Sequence, residues 1–449
     1  MLKTNYVIFY PDIEEVIKEF TDFYGDIEIF GEQSSGAFSV KVAVSDNVYR
    51  YTYDFVPVDE RDEKRLLKRF LKLSCYKALS SFTDTDLPWG ALTGIRPTKL
   101  AYSQGDNFEK FFTETMLVSE EKTKLIADIL KTQKGIYEVN PDNADLFVSV
   151  PFCPSRCAYC SFISNEISKE TRINEYIDRL LDEIKASKSL IKNLRAVYVG
   201  GGTPVSLSDE CFYKLMEGIG KQTVEYTVEA GRPDAITEEK LKIMKNFGVT
   251  RVCVNPQTFC DKTLETIGRK HTSADVIEKF RLVKSYGFDV NMDLIAGLYG
   301  ETKEDFARSL KTAVSLSPEN VTVHTLCLKS GSKLKESTER LSGAEVSDMV
   351  DYAHAFLSEN GYNPYYLYRQ KYMAGNLENT GYAKPKKECI YNVDIMEETT
   401  DILANGANAV SKRVENLHKI TRIGAPKNTE AYLKRVDELI EQKNLLFMR

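Results

Sequence analysis

The feature that most constrains the fold of this chain is a regular alternation of short apolar runs and amphipathic stretches from about residue 143 onward. The runs are rich in β-branched residues, as buried strands are, whereas the stretches between them repeat apolar residues at helical spacing. Such alternation predicts parallel strands joined by crossover helices. The six predicted strands are Leu146–Val150, Ala196–Val199, Tyr226–Glu229, Thr250–Val254, Val290–Ile295 and Val321–His324.

Six β/α units predict an α/β fold in the form of a partial (β/α)6 barrel, because a closed TIM barrel needs eight units. A partial barrel has one open side, which would admit a bulky substrate. Two of the intervening stretches show helical features clearly. Residues 173–184 place apolar side chains on one face, and Thr302 with Asp305 predicts a capped helix start.

The order of predicted elements divides the chain into three segments. We predict an N-terminal α+β domain over residues 1–140, the partial barrel over 141–369, and a C-terminal helical or mixed module over 370–449. In the first segment, Tyr6–Tyr10 and Ala37–Val44 read as strands, and residues 63–79 read as a helix. Sequence repeats of the solenoid type and low-complexity tracts are absent from the sequence.

Composition excludes several functional classes. A chain of 449 residues with 42% hydrophobic content can bury sizeable cores. Its net charge of −6 argues against a dedicated nucleic-acid surface. Nine cysteines, an odd number, fit a reducing compartment better than a disulfide framework. The first residues lack the basic and apolar regions of a signal peptide, so we expect a cytoplasmic protein.

One loop after the first predicted strand carries three closely spaced cysteines, Cys153, Cys157 and Cys160. Three thiolates can hold an iron–sulfur cluster and leave one iron without a protein ligand. A structural zinc site is the alternative, but zinc needs a fourth ligand. The next cysteine, Cys211, is far downstream, and no histidine is nearby in the sequence.

Polar residues and a glycine run follow the other predicted strands. The run Gly200–Gly202 follows the second strand, Glu229 ends the third, Gln257 follows the fourth, and Asp293 lies near the end of the fifth. In β/α barrels the chemistry sits beyond the carboxyl ends of the strands. We therefore expect these residues to line one functional edge together with the cysteine loop.

The pattern C-x3-C-x2-C, with Tyr159 before the last cysteine, resembles the signature of the radical S-adenosylmethionine (SAM) superfamily. Further segments resemble the oxygen-independent coproporphyrinogen III oxidase family, and in particular its coproporphyrinogen dehydrogenase HemZ branch. These segments are "YVGGGTP" from Tyr198, Gln257-x-Phe259 with Arg269, "DLIAGL" from Asp293, "LPWGALTGIRPTKL" around Trp89 and "YLYRQKYMAGNLENTGYA" around Arg369.

The resemblance implies a 4Fe–4S cluster held by Cys153, Cys157 and Cys160, with SAM on the fourth iron. It also implies a set of contacts to SAM. These are Tyr159 at the adenine, Gly201 and Gly202 at the methionine amino group with Thr203 beside them, Glu229 at the methionine moiety, Arg269 at its carboxylate, and Gln257 and Asp293 at the ribose. A guanidinium suits a carboxylate because it donates two parallel hydrogen bonds.

The activity implied by the resemblance is oxidative decarboxylation of two propionates of coproporphyrinogen III to the vinyl groups of protoporphyrinogen IX. An electron donor such as a flavodoxin or ferredoxin would be the protein partner. A substrate with four propionates needs cationic groups to position it. Our candidates for those contacts are Arg232, Arg369 and Lys371.

The sequence also differs from well-known family members. Ser161 and Phe162 follow Cys160 where those members have a further cysteine, Phe147 and Ser149 replace a tyrosine and a histidine, and Tyr391 replaces a C-terminal histidine. Two alternatives therefore stay open: a heme-binding or heme-transfer protein, and another radical SAM enzyme that modifies tetrapyrroles. For heme, the possible axial ligands are His271, His324, His354 and His418.

Overall fold

The computed structural model describes the chain except residues 21–22, 95, 161–164, 170–171, 328–341, 371–372, 417–418 and 449. The described residues form two compact units. The first comprises Met1–Ile95 and Leu100–Ala127, and the second comprises Arg96–Lys99 and Asp128–Arg449. This division differs from the three predicted segments, because residues after 369 belong to the same unit as the predicted barrel.

The first unit contains a four-stranded sheet in the order β1-β2-β3-β4, with β1 parallel to β2 and the other pairs antiparallel. The predicted strand Ala37–Val44 is confirmed as β3, and the helix predicted over residues 63–79 lies within α2. The elements are β1 (Leu2–Thr4), α1 (Tyr10–Glu19), β2 (Ile27–Ser34), β3 (Ala37–Val44), β4 (Asn47–Asp54) and α2 (Glu60–Thr83).

The strand predicted at Tyr6–Tyr10 is wrong. A 3-10 turn occupies Val7–Phe9, and α1 begins at Tyr10. Pro11 stands in the first turn of α1, where its fixed backbone angle suits a helix and its missing N–H has no partner to lose. Three helices follow α2 along the chain: α3 (Pro97–Gln104), α4 (Phe108–Lys110) and α5 (Glu120–Thr132).

The second unit is built on an eleven-stranded sheet in the order β13-β14-β12-β11-β10-β9-β8-β5-β15-β16-β17. The run from β12 to β15 in this order is parallel, and the remaining pairs are antiparallel. The strands of this sheet are β5 (Asn143–Val150), β8 (Asn193–Gly201), β9 (Glu225–Glu229), β10 (Arg251–Cys253), β11 (Asp289–Ala296), β12 (Asn320–Thr325), β13 (Asn363–Arg369), β14 (Glu378–Ala383), β15 (Asp401–Asn405), β16 (Val410–Asn416) and β17 (Lys419–Gly424). Two short strands, β6 (Phe152–Cys153) and β7 (Asn165–Glu166), pair in parallel as a separate sheet.

All six predicted barrel strands are confirmed, as β5, β8, β9, β10, β11 and β12. A seventh parallel strand, β15, pairs with β5. This strand belongs to the segment predicted as a separate C-terminal module. It joins the sheet because burial of its apolar residues Ile402–Ala404 beside β5 stabilises the pairing. Among the described strands the sheet does not close, since β13 and β17 are its two ends. The architecture is thus an α/β fold consistent with a partial barrel.

Helices connect and cover the parallel strands. Tyr176, Ile177, Leu180 and Ile184 are buried on the predicted face of α6, and Thr302 with Asp305 forms the predicted capping box of α11. The helices are α6 (Ile173–Ser189), α7 (Asp209–Ile219), α8 (Glu238–Asn246), α9 (Asp261–Thr266), α10 (Ser273–Ser285), α11 (Lys303–Ser315), α12 (Gly343–Glu359), α13 (Ile390–Glu397), α14 (Thr429–Leu433) and α15 (Val436–Phe447). Within the described ranges, no helix has the length and apolar content that a bilayer crossing requires.

Candidate functional site

The three-cysteine loop lies just beyond the carboxyl end of β5, as predicted. Its three thiols are half-buried. The loop turns tightly, because the Cys160 amide donates to the Cys157 carbonyl at 3.2 Å. It is also tied to the end of α9, where the Ala158 amide donates to the Ile267 carbonyl at 2.9 Å. Hydrogen bonds thus hold this loop at the same edge as the ends of the other parallel strands.

Side chains from two neighbouring strand ends donate hydrogen bonds to these sulfurs. Thr203 Oγ1 donates to Cys153 Sγ at 3.5 Å, and Arg232 Nη1 donates to Cys157 Sγ at 3.7 Å. Such donors stabilise thiolates, which are the form that binds metal. In the part of the chain that the structure describes, no three or more His, Cys, Asp and Glu side chains are arranged to hold a single metal ion. The thiol set with its cationic donor suits an iron–sulfur cluster better than a four-ligand zinc site.

The glycine run packs too closely against its neighbours for side chains. A Cβ on Gly200 would lie 2.7 Å from Glu229 Oε2, and one on Gly202 would lie 2.6 Å from the Phe152 carbonyl oxygen. Gly201 has φ +100°, and its Cβ would lie 2.7 Å from Ser149 Oγ. Backbone conformation therefore favours glycine at position 201 and close backbone packing at position 202, whereas a side chain at position 200 would displace the Glu229 carboxyl group. The run thus lies against both the cysteine segment and a carboxyl group.

Glu229 is a carboxyl group in a desolvated position at the end of β9. Tyr198 donates its hydroxyl hydrogen to Glu229 Oε1 at 2.7 Å. Burial and, to a smaller extent, the nearby Asp293 raise the pKa of Glu229 to about 7, although the Tyr198 hydrogen bond acts in the opposite direction. This site can therefore hold or release a proton near neutral pH.

Asp293, by contrast, is held as a carboxylate. Asn291 Nδ2 donates to its Oδ1 at 2.7 Å, and His324 Nε2 lies 3.7 Å from its Oδ2. Although burial opposes ionisation, the hydrogen bonds and charge supplied by His324 and Asn291 lower the pKa of Asp293. The other His324 nitrogen, Nδ1, lies 3.4 Å from the Tyr368 hydroxyl. The two acidic groups thus differ in pKa because hydrogen bonds and charge from His324 and Asn291 outweigh burial at Asp293, whereas burial outweighs the lowering effects of Tyr198 and His324 at Glu229.

His324 and Tyr368 were not predicted as SAM or substrate residues; His324 was considered only as a heme ligand. A usable signal was present in β12, where the polar residues Asn320, Thr322 and His324 alternate with Val321 and Val323. Tyr368 comes from β13 and reaches β12 across β14. The neighbouring Tyr366 ring shows how, because a Cβ on Gly381 of β14 would lie 1.8 Å from it.

Gln257 and Arg269 lie at this edge in buried positions. The Gln257 backbone has φ +68° and bonds to β11, donating to the Asp293 carbonyl and accepting from the Ile295 amide, each at 2.9 Å. Arg269 Nη1 donates to the Asn255 carbonyl at 2.6 Å, and Nη2 donates to the Tyr159 hydroxyl at 3.0 Å. Arg269 Nε is buried without a hydrogen-bond partner, so this guanidinium retains donor capacity.

Other predicted residues are placed differently. Arg232 is buried and holds Asp234 with two bonds of 2.9 Å. Arg369 is buried at the end of β13, with Nη2 donating to the Asn376 carbonyl at 2.8 Å. Four positions that the predictions named lie outside the described residues: Ser161, Phe162, Lys371 and His418.

Tyr391, at the position where the family resemblance suggested a histidine, is buried and belongs to an aromatic stack. Its ring centroid lies 4.5 Å from that of Tyr198 and 6.0 Å from that of Phe147. Of the remaining histidines, His271 is buried, and His354 Nδ1 lies 3.5 Å from the Tyr382 hydroxyl. Tyr198 connects this aromatic stack to Glu229 through the hydrogen bond of its hydroxyl group.

Comparisons with known proteins agree with this geometry. Residues 147–313 match the family model of the radical SAM superfamily. The oxygen-independent coproporphyrinogen-III oxidase-like protein HemZ of Bacillus subtilis is 37% identical over 88% of this chain and 84% of its own length. The heme chaperone HemW of Haemophilus influenzae is 28% identical over 67% of this chain and 78% of its own length. The coproporphyrinogen III oxidase HemN of Escherichia coli shares the fold, with a TM-score of 0.56, 22% identity, and coverage of 68% of this chain and 72% of that chain.

Proposed function

Since this chain belongs to the HemZ family and carries a radical SAM domain, we propose that it oxidatively decarboxylates coproporphyrinogen III to protoporphyrinogen IX. The proposal rests on the set of functional groups at the carboxyl ends of the parallel strands. This set consists of three half-buried thiols, a cationic donor to one of them, a protonatable Glu229 and an ionised Asp293. These groups suit a cluster, a SAM molecule and a hydrogen-abstraction reaction at one place.

In this proposal Cys153, Cys157 and Cys160 hold a 4Fe–4S cluster. Cluster and SAM, when bound, supply a 5′-deoxyadenosyl radical that removes hydrogen from unactivated carbon. Thr203 and Arg232 stabilise the cysteine thiolates through the hydrogen bonds they already make. The role of the fold is to bring donors from the loops that follow β8 and β9 to the loop that follows β5.

We assign the SAM contacts to the predicted residues. Asp293 accepts from the ribose hydroxyls, because its carboxylate is ionised and oriented by Asn291 and His324. Arg269 donates hydrogen bonds to the methionine carboxylate from Nε, which has no hydrogen-bond partner, and from a neighbouring N–H of the same guanidinium. Glu229 and the backbone at Gly201 and Gly202 contact the methionine amino group. The remaining proposed contacts are Tyr159 at the adenine, Thr203 beside the glycine run, and Gln257 at the ribose.

For the substrate, Arg369 and Lys371 remain the proposed contacts to propionates. Arg232 is the weaker candidate, because Asp234 already occupies two of its donors and Ser155 a third. A flavodoxin or ferredoxin is the proposed electron donor.

The test is anaerobic incubation of reconstituted protein with SAM, dithionite, an electron acceptor and coproporphyrinogen III, followed by mass spectrometry. We expect protoporphyrinogen IX and 5′-deoxyadenosine, and neither with the Cys157→Ala variant. If an active control enzyme forms product and this protein forms none, the proposed reaction is rejected.

Heme transfer is a second candidate, favoured by the similarity to heme chaperones. The two candidates predict opposite results in one titration. A carrier would bind heme tightly at a fixed stoichiometry and would not cleave SAM in response to coproporphyrinogen. An enzyme would cleave SAM in response to that substrate, with heme binding that is weak or absent.

A further inference from the structure

We infer that Arg232 sets the reduction potential of the cluster by donating a hydrogen bond to the Cys157 thiolate. The inference rests on the cluster ligands of the proposed function, but not on the identity of the substrate. It gives a role to a residue that the sequence suggested as a propionate contact. The residue would be a positioning and tuning group, since it acts through a cysteine.

The geometry directs one specific nitrogen of Arg232 at the sulfur. Nη1 lies 3.7 Å from Cys157 Sγ and 3.1 Å from Ser155 Oγ, so it contacts two residues of the same loop. Nε and Nη2 donate to the two oxygens of Asp234, each at 2.9 Å. The planar guanidinium therefore cannot rotate without breaking these bonds. The side chain is only 3% exposed, so little water screens its charge.

Asp234, the acidic partner of Arg232, has a second contact of its own. Asp234 is two residues along the chain, in the turn that follows β9, and its Oδ1 lies 3.8 Å from His271 Nδ1. The guanidinium is nearer to the sulfur, and the carboxylate is on its far side, with 28% of that side chain exposed. The ion pair thus presents its positive end to the loop and its negative end to solvent.

This orientation has a definite electrostatic consequence. One-electron reduction, with dithionite as the electron source, adds one negative charge to the cluster and its thiolates. A buried positive group and a hydrogen bond to sulfur stabilise the more negative state, and both are established ways of tuning cluster potentials. Arg232 should therefore raise the potential, and Asp234 should lower it by partly cancelling that charge.

The experiment is an EPR-monitored redox titration of the reconstituted full chain, without any tetrapyrrole, together with iron analysis. We expect Arg232→Gln to shift the midpoint potential downward and Arg232→Lys to shift it less, because lysine keeps the charge. Asp234→Asn should shift it upward. Arg251→Gln is the matched control, since Arg251 is also buried and paired with a glutamate, at 2.9 Å, but at the opposite ends of the strands.

Opposite shifts in the Arg232→Gln and Asp234→Asn proteins, with full iron content and no shift in the control, would establish the inference. Full iron content with unchanged potentials would overturn it. Loss of iron from both Arg232 variants would also overturn it, and would assign the residue to holding the loop together. Absence of porphyrin product in the activity assay rejects the proposed reaction but leaves these potentials interpretable.

Discussion

Two buried polar clusters in the second unit differ in how completely their atoms are hydrogen-bonded. In the cluster between α6 and α15, Glu183 accepts from Lys443 at one oxygen and from Tyr432 and the Gly406 amide at the other. Lys443 also donates to the Asn405 side chain and the Ala404 carbonyl. At the cysteine edge, by contrast, Asn255 Oδ1, Arg269 Nε and both ring nitrogens of His271 are buried without a hydrogen-bond partner among the described residues.

The difference distinguishes buried polar groups that stabilise the fold from buried polar groups that are available to bind a ligand. Buried polar groups are almost always hydrogen-bonded, because an unpaired group costs roughly 1–3 kcal/mol. The α6–α15 cluster obeys this rule and ties the C-terminal helix to β15. The cysteine edge departs from it where a ligand that carries both hydrogen-bond donors and acceptors is proposed to bind.

Replacing a cluster cysteine should have the largest effect. We expect Cys157→Ala to abolish both the iron–sulfur absorption and SAM cleavage after anaerobic reconstitution, while the fold remains intact by circular dichroism. Retention of a full cluster spectrum together with SAM cleavage would falsify the central assignment.

Removing Lys443 from the polar cluster between α6 and α15 should lower the stability of the fold and leave SAM cleavage unchanged. Lys443→Met leaves the Glu183 carboxylate buried and uncompensated, so we expect a loss of about 3–5 kcal/mol in the free energy of unfolding. Urea denaturation measures the loss. Arg435→Gln, which removes an exposed ion pair with Glu438, is the control and should cost less than about 1 kcal/mol. Equal losses in the two proteins would contradict the expectation.

Removing the ionised carboxylate at the cysteine edge should affect ligand binding and leave the cluster in place. Asp293→Ala removes an acceptor of charge-assisted hydrogen bonds, so we expect SAM affinity to fall by about 1.5–3 kcal/mol. Equilibrium dialysis against labelled SAM measures the change, and iron analysis serves as the control. Unchanged affinity would remove Asp293 from the SAM site.

The protonated carboxyl group should make stability depend on pH. The pKa of Glu229 is raised to about 7 by burial, from an ordinary value of 4.5. Between these pH values the folded protein holds a proton that the unfolded chain has released, so the contribution of Glu229 to stability falls as pH rises. Glu229→Gln removes this titration and should gain roughly 1–3 kcal/mol relative to the wild type from pH 4.5 to 7. Parallel pH–stability curves would disprove this effect.

The smallest effect concerns a residue that acts through another. His324→Phe removes the imidazole beside Asp293, and we expect SAM affinity to fall by about 0.5–1.5 kcal/mol. His354→Phe is the matched control, because His354 contacts Tyr382 instead. In the Asp293→Ala background the His324 substitution should have no further effect. An additive loss there would show that His324 does not act through Asp293.

The sequence predicted much of the second unit correctly because its information is local. Six strands, the buried face of α6 and the capping box of α11 all follow from spacing within a few residues. The N-terminal strand at Tyr6–Tyr10 failed for a local reason as well, since Pro11 favours a helix start there. The seventh parallel strand was missed because its partner, β5, is about 250 residues away along the chain.

By itself, the sequence determined the β/α alternation, the three-thiol loop and the presence of polar residues after several strands, because periodicity and short motifs are local properties. Only the tertiary structure decided which of those polar groups meet. Arg232 reaches Cys157 across 75 residues of chain, and His324 reaches Asp293 across two adjacent strands. Such contacts depend on strand order and register, which the packing of the whole sheet fixes and no local spacing encodes.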